Sequence, residues 1–381
     1  MAAFYNPVRI RFGAGALDGI GELVGTRRCI VLTSEGMQRR GDLDRLIRAI
    51  DGRVAATYPS VTPNPTVESA TNAFDTIRES QPETGLIVAL GGGSVIDTAK
   101  AVAAQCANAG EANWLSAHLR DGAPFAQEVA APPILAIPTT AGTGSEVTMW
   151  GTIWDEANGR KYSVAHPSLY PEHAVLDPQL TLSVPRATTV ATALDALSHA
   201  MEAIWNRAAN PVSDALAVRA IGLIPAALVR ALDNPDNLAV RERLLSAALV
   251  AGLAMSNTRT ALAHSISYPM TSRFGVPHGI ACSLTLPEIL RALAETHPDR
   301  AALIAGALGV ASATQGVDAL YQLFRDVGMA AILTAHVSSS TALEAIEGEL
   351  ITPGRADNSL FPANGPAAAR LLRTAYERVC G

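Results

Sequence analysis

The alternation of apolar and polar positions changes character once along the chain, near residue 180. Before that point, short apolar runs alternate with helical stretches. Tyr5, Val8, Ile10 and Phe12 predict a short strand over 5–12, ended by Gly13-Ala14-Gly15. A helix is expected at 16–24. Cys29–Thr33 is a continuous apolar run of the kind found in buried parallel strands. Helices are expected at 41–50 and 66–80, with a strand at Val54–Tyr58 and a loop at Pro63–Pro65 between them. Gly85–Leu90 is a second buried-strand run, leading into Gly91–Ser94 and a helix at 95–107. Pro132–Pro138 is a third such run. This order predicts a parallel sheet with helices on both faces. After Asp177-Pro178 and Pro185 the pattern is helical to the end. It is rich in Ala and Leu and interrupted by Pro211, Pro225, Pro235, Pro269, Pro277, Pro287 and Pro298. The expected division is an α/β domain at 1–184 and an all-α domain at 185–381.

Composition adds exclusions. At 381 residues the chain is long enough for two cores, and 49% hydrophobic with 17% charged residues argues against disorder. A net charge of −6 without a basic cluster gives no expectation of a nucleic-acid partner. The four cysteines lie far apart with no CxxC pair, which predicts neither a disulfide framework nor a structural zinc site, and suggests a reducing compartment. No signal peptide is read at the N-terminus, and no uninterrupted apolar run reaches the roughly 20 residues of a bilayer span. The expectation is a cytoplasmic protein with no membrane partner.

Three motifs carry candidate chemistry. Gly91-Gly92-Gly93-Ser94-Val95-Ile96-Asp97 joins a buried strand to a helix. Glycines there let a backbone approach a pyrophosphate, and the helix N-terminus offers free N–H groups. The plain alternative is a tight turn that binds nothing, and the spacing is not the GxGxxG fingerprint. Thr139-Thr140-Ala141-Gly142-Thr143-Gly144-Ser145 follows the next strand, where hydroxyls can bond a nicotinamide or a phosphate. The third motif is Asp195 and His199, four residues apart on one face of an apolar helix. Burying them without a partner is costly, and a divalent metal completed by His264 and His278 is one such partner. His264 is read as ending a helix before Pro269, and His278 as opening the next one after Pro277. One carboxylate with three imidazoles suits Fe²⁺ or Zn²⁺ better than Mg²⁺ or Ca²⁺. Taken singly, each histidine reads equally as an ordinary buried or surface residue.

Together, GGGSVIDTAKA, PTTAGTGSEVT, DALSHAMEA and HSISYPMTSRFGVPHG resemble the iron-containing (group III) alcohol dehydrogenase family, in order and approximate spacing over nearly the whole chain. The resemblance implies a Rossmann-like nucleotide domain and an all-helical metal domain, a dehydroquinate synthase-like fold with the active site in the cleft between them. It implies metal ligation by Asp195, His199, His264 and His278. It implies nucleotide contacts from Gly92, Gly93, Ser94, Asp97, Thr139, Thr140, Thr143 and Ser145, with Lys161 reaching a phosphate. A homodimer is the family expectation. The implied chemistry is hydride transfer from NADH or NADPH to a small aldehyde, with the metal as Lewis acid. A dehydroquinate synthase-type lyase shares the fold but uses a different metal set.

Several positions depart from the family pattern. Tyr268 stands where many members carry a second histidine assigned to a proton path; its phenol is a candidate proton relay, with an ordinary packed tyrosine as the alternative. Ser34 stands where members that prefer NAD often carry a ribose-binding Asp, with Arg39 and Arg40 nearby, so NADPH is expected to be tolerated or preferred. Glu35 argues the other way. Asn257-Thr258-Arg259-Thr260 and Thr271-Ser272-Arg273-Phe274 replace segments that are usually small, apolar or aromatic, and Trp150 stands at an expected pocket-lining position. Arginines near a carbonyl site suit an anionic aldehyde, since guanidinium binds phosphate or carboxylate in bidentate fashion. Arginines turned to solvent are the alternative. These features resemble the branch that reduces phosphonoacetaldehyde to 2-hydroxyethylphosphonate in phosphonate natural-product biosynthesis, with Arg259 and Arg273 as phosphonate contacts. A general short-chain alcohol or diol dehydrogenase, or a reductase of a carboxylated aldehyde, is the alternative within the family.

Overall fold

The structure, a computed structural model, describes residues 3–80, 85–108, 113–126, 129–155, 160–361 and 364–381. The chain divides into two compact units. One comprises Pro7–Thr140 and Ser145–Ser183; the other comprises Met1–Asn6, Ala141–Gly144 and Val184–Gly381.

The first unit is built on six parallel strands: β1 (Arg9–Phe12), β2 (Cys29–Thr33), β3 (Val54–Tyr58), β4 (Leu86–Gly91), β5 (Ile134–Pro138) and, after the hairpin described below, β8 (His173–Leu176). Their order across the sheet is β1-β8-β5-β4-β2-β3. Side chains alternate between two cores, as period-2 geometry requires. Ile30, Leu32, Ile87, Ala89, Ile134 and Ala136 face one core with α4 (Val67–Ser80), α5 (Gly93–Ala107) and α6 (Trp114–Asp121). Val31, Leu86, Val88, Leu90, Leu135 and Ile137 face the other, with α1 (Gly21–Val24), α2 (Glu35–Arg39) and α3 (Asp42–Ala49). Burial on both faces explains why these strands read as unbroken apolar runs.

Four features of this unit were not predicted. Strand β8 is only four residues long, and β6 (Trp150–Asp155) with β7 (Arg160–Ala165) forms a separate antiparallel pair. The segment expected as one helix at 16–24 is a 3-10 turn, Ala16–Gly19, followed by the single turn of α1. The helix after the glycine run starts at Gly93 rather than at 95.

The second unit is helical. Its elements are α7 (Arg186–Ile204), α8 (Pro211–Asp233), α9 (Leu238–Thr258), α10 (Leu262–Phe274), α11 (His278–Leu284), α12 (Leu286–Thr296), α13 (Pro298–Ala307), α14 (Ala313–Val327), α15 (Met329–Thr334) and α16 (Gly365–Cys380). Pro211, Pro287 and Pro298 sit in first turns, where a missing N–H costs nothing. Pro225 and Pro269 lie inside α8 and α10, so they do not break the helices. Helix α8 is long and apolar enough to cross a membrane, but Arg219 interrupts it and one side buries Ala220, Ile221, Ile224 and Leu228. It reads as the core-facing helix of a packed bundle.

Candidate metal centre and nucleotide cradle

The sheet order fixes where a nucleotide would sit in the first unit. From β2 the chain moves outward to β3, then returns to β4 on the other side of β2. The strand order therefore reverses between β2 and β4, and open parallel sheets bind ligands at the carboxyl ends of such strands. Ser34 follows β2, Gly92–Ser94 follow β4, and Thr139-Thr140 follow β5. A side chain on Gly92 would press on Thr140 Oγ1 at 3.2 Å, so this glycine keeps the two loops in contact. The Ser94 hydroxyl accepts the Asn64 N–H at 3.3 Å.

Behind these loops lies a buried charge cluster. The Lys100 ammonium donates to Ser145 O at 2.6 Å, Ser145 Oγ at 2.9 Å, Thr148 Oγ1 at 3.0 Å and Trp150 O at 2.9 Å. The Ser145 hydroxyl donates to Asp97 Oδ1 at 2.6 Å. Burial lowers Lys100 to about 8 against the pull of Asp97 and Glu146. Burial also raises Glu146 to about 7, opposed by its own backbone N–H and by Lys100. Asp97 and Ser145 are therefore part of the lattice that shapes the 145–150 segment. Lys100 was missed in the sequence, although a lysine in an otherwise apolar helix is a recognisable signal. Lys161 lies on β7 with its ammonium over the Trp154 ring at 5.3 Å. Trp150 opens β6 half-buried. Arg39 pairs with Glu35, and Arg40 with Asp42.

Ala141–Gly144, including the half-buried Thr143, belongs to the helical unit. A Cβ on Gly142 would lie 2.5 Å from Thr192 Cβ, and one on Gly144 2.5 Å from Gly252 Cα. These two glycines serve close packing on α7 and α9.

In the helical unit the four predicted ligands converge. Asp195 Oδ1 lies 3.6 Å from His199 Nε2, 3.4 Å from His264 Nε2 and 3.9 Å from His278 Nε2. Asp195, His199 and His264 are buried; His278 is partly exposed. The placement of His264 corrects the sequence reading, because it sits in the first turn of α10 and the helix runs on through Pro269. His278 opens α11 as expected. Gly279 lets α11 approach α7, since a Cβ there would fall 1.8 Å from Ala191 O.

Glu202 completes this arrangement and was not singled out in the sequence. Its carboxylate accepts His264 Nδ1 at 2.7 Å, Ala261 N at 2.8 Å and His264 N at 3.1 Å. It therefore caps α10 and turns His264 Nε2 toward Asp195. It stands at i+7 from Asp195, on the same helix face, which is the signal that would have found it. Cys282, four residues after His278, is also present, with Sγ 3.4 Å from Asp195 Oδ1.

The electrostatics fit a cation. Burial favours a neutral Asp195, but His199, His264 and His278 outweigh it and hold the carboxyl well below the usual range. Burial likewise opposes charge on His264, yet Glu202 and Asp195 raise it to about 10. His264 Nε2 is buried without a well-aligned hydrogen bond. Three imidazole nitrogens gathered on one carboxylate oxygen, one of them unsatisfied, match the donor set of a divalent transition metal.

The remaining predicted residues are placed less uniformly. The Tyr268 ring lies 6.2 Å from the His278 ring, nearly parallel to it. Arg259 ends α9 with φ +66 and ψ 174, and the residue is exposed. Thr260 O accepts the Asn358 amide at 2.7 Å. Arg273 is a correction: it is 61% exposed and bound to Glu349 at 2.8 Å. It lies nine residues beyond His264, about 13 Å along the helix. The structure does not bring it to the cluster.

A parallel-sheet unit with a glycine turn at its switch point, and a helical unit with an Asp/His cluster, define a nucleotide-linked metalloenzyme. A family model for iron-containing alcohol dehydrogenases matches residues 7–178, and the model for the C-terminal part of that family matches 189–345. The chain belongs to the iron-containing alcohol dehydrogenase family. It is 32% identical to the NAD-dependent methanol dehydrogenase of Bacillus methanolicus over 314 residues, 81% of this chain and 80% of that one. It is 30% identical to the 1,3-propanediol dehydrogenase of Klebsiella pneumoniae over 333 residues, 84% of each chain. Its fold is similar to that of sulfoacetaldehyde reductase from Bifidobacterium kashiwanohense in complex with NAD⁺, with a TM-score of 0.89, 29% identity and 99% of each chain covered. The protein is a metal-dependent, NAD-linked oxidoreductase of the alcohol–aldehyde interconversion.

Proposed function

We propose that the protein reduces a short aldehyde carrying an anionic group, with phosphonoacetaldehyde, reduced to 2-hydroxyethylphosphonate in phosphonate natural-product biosynthesis, as the leading substrate. Bound at Asp195, His199, His264 and His278, Fe²⁺ or Zn²⁺ would supply Lewis-acid polarisation of the carbonyl, and the nucleotide the hydride. Glu202 holds His264 in the ligating tautomer. Gly92, Gly93, Ser94, Asp97, Thr139, Thr140, Thr143, Ser145 and Lys161 are the proposed nucleotide residues. With Ser34 and no carboxylate at that position, both NADH and NADPH are accepted.

The observation that carries the anionic reading is Arg259. Its backbone occupies a region of φ and ψ that is nearly reserved for glycine. It is held there by Arg259 N donating to Met255 O at 2.7 Å and by the Asn206 amide donating to Arg259 O at 3.2 Å. An arginine kept in that conformation, at a cost of about 1–3 kcal/mol, points to a use for its side chain. The similarity to a reductase of sulfoacetaldehyde, itself a two-carbon anionic aldehyde, supports the same reading. The pairing of Arg273 with Glu349 and the likeness to 1,3-propanediol dehydrogenase favour the second reading, a neutral short-chain or diol dehydrogenase.

The test is an aldehyde panel with anaerobically prepared Fe²⁺ and Zn²⁺ enzyme and both nucleotides. A kcat/KM for phosphonoacetaldehyde above that for propanal supports the proposal; the reverse order establishes the second reading. A homodimer is proposed through β1, an edge strand that exposes Ile10 and Phe12.

A further inference from the structure

We propose that Ser267 is a positioning residue of the metal centre: it holds the His278 proton on Nδ1 and so turns the Nε2 lone pair toward Asp195. This rests on the ligand set proposed above and adds to it a residue that is not itself a ligand.

Ser267 lies within one turn of His264 on α10 and is fully buried. Its hydroxyl donates to His264 O at 2.7 Å. A hydroxyl has one proton to give and two lone pairs to receive. With that proton directed at the carbonyl, Oγ meets the His278 ring as an acceptor, and Nδ1 lies 3.5 Å from it. A neutral imidazole that carries its proton on Nδ1 keeps its lone pair on Nε2. Nε2 is the nitrogen that lies 3.9 Å from Asp195 Oδ1. The Nδ1 contact is long, so it contributes direction more than strength: it selects one tautomer over the other.

A helical serine that turns back on a carbonyl of its own helix is common. Ser265, on the same helix, shows what sets Ser267 apart. Ser265 is equally buried, but its hydroxyl donates to Leu350 O and accepts Thr352 N, both at 2.7 Å. It fastens a distant segment to α10. Ser267 instead joins two of the proposed ligands, one on α10 and one opening α11. The chain runs one way, from His278 Nδ1–H to Ser267 Oγ–H to His264 O. Glu202 orients the His264 ring through the same ring position, Nδ1, with a carboxylate. Ser267 does so for His278 with a neutral hydroxyl, which adds no charge to the cluster.

The experiment measures Zn²⁺ affinity of the full chain against a competing chelator in wild type, Ser267→Ala, His278→Ala and the double variant. Alanine suits a helix interior at least as well as serine, so Ser267→Ala is expected to melt near the wild-type temperature. Its Zn²⁺ affinity is expected to fall about 10-fold, the low end for a residue that orients a ligand. In the His278→Ala background the loss from Ser267→Ala disappears, because its partner is gone. Unchanged affinity in Ser267→Ala, or the same loss with and without His278, overturns the assignment while the ligand set stands. Where His278→Ala holds too little Zn²⁺ to titrate, the visible spectrum of Co²⁺-loaded Ser267→Ala decides: shifted bands support the assignment, and wild-type bands overturn it. If the wild type binds no Zn²⁺, or His278→Ala binds it as tightly as wild type, the ligand set falls and the assignment falls with it.

Discussion

The Lys100 cluster of the first unit and the Asp195 cluster of the second both bury ionisable groups on helices, yet they distribute their hydrogen bonds differently. Lys100 spreads its donors over four oxygens, and Asp97 takes the Ser145 hydroxyl. Each polar group there holds another, and the product is a segment of fixed shape. In the second cluster three imidazole nitrogens share one carboxylate oxygen, and Glu202 engages the far nitrogen of one ring together with two backbone N–H groups at the start of α10. Self-satisfied burial makes a scaffold; donors gathered on a single acceptor make a site. Residue types alone do not separate the two cases. The pattern of partners does.

The sharpest way to break this contrast is Lys100→Met. It leaves Asp97 without its buried countercharge and four oxygens without the Lys100 donor, and breaking a buried charge network of this kind costs about 3–5 kcal/mol. The expected outcome is a lower denaturant midpoint and a raised KM for nucleotide, with metal content per chain unchanged. A raised KM for aldehyde alone would contradict the scaffold role.

Glu202→Gln comes next. It keeps the size of the side chain and removes the charge that fixes the His264 tautomer. Metal affinity measured against a competing chelator is expected to fall about 10- to 100-fold. Unchanged affinity would show that packing alone orients His264.

A third expectation concerns pH. A carboxyl raised by burial binds its proton more tightly in the folded state. The stability from Glu146 is therefore complete below its ordinary value of 4.5 and is lost as pH rises through about 7. Lys100 has the opposite sign: its folded value of about 8 lies below the ordinary 10.5, so stability returns as pH rises between them. Thermal melts of wild type minus Glu146→Gln should isolate a loss of about 3 kcal/mol between pH 4.5 and 7. A flat difference curve would remove Glu146 from the cluster's energetics.

The smallest effect is the most diagnostic for substrate. Arg259→Gly relieves the left-handed backbone and should raise stability by about 1 kcal/mol while lowering activity on an anionic aldehyde. Higher stability with undiminished activity would detach Arg259 from substrate binding.

Much of this was readable from one dimension. Strands β2, β4 and β5 were legible because a sheet covered on both faces makes apolar runs. Strand β8 was not, since His173–Leu176 is too short to show a period, and the β6–β7 pair mixes polar and aromatic residues. Asp195 and His199 were legible because the helical repeat brings them together. The same repeat carries Glu202 and, from His278, Cys282, but a buried glutamate or cysteine names no chemistry until its partner is seen. Pro269 was misleading: proline usually ends a helix, and α10 passes through it. Arg273 was misleading in another way, since nearness to His278 in sequence is not nearness in space.

The contact between Gly279 and the Ala191 carbonyl has a consequence for anyone redesigning this enzyme. A single hydrogen atom sets how closely α11 lies on α7, and so sets the spacing between Asp195 and His278. Donor atoms can be exchanged at those positions as variables, trading one metal preference for another, while the frame keeps its dimensions. A change at the glycine does the reverse: it keeps every donor and alters the ruler.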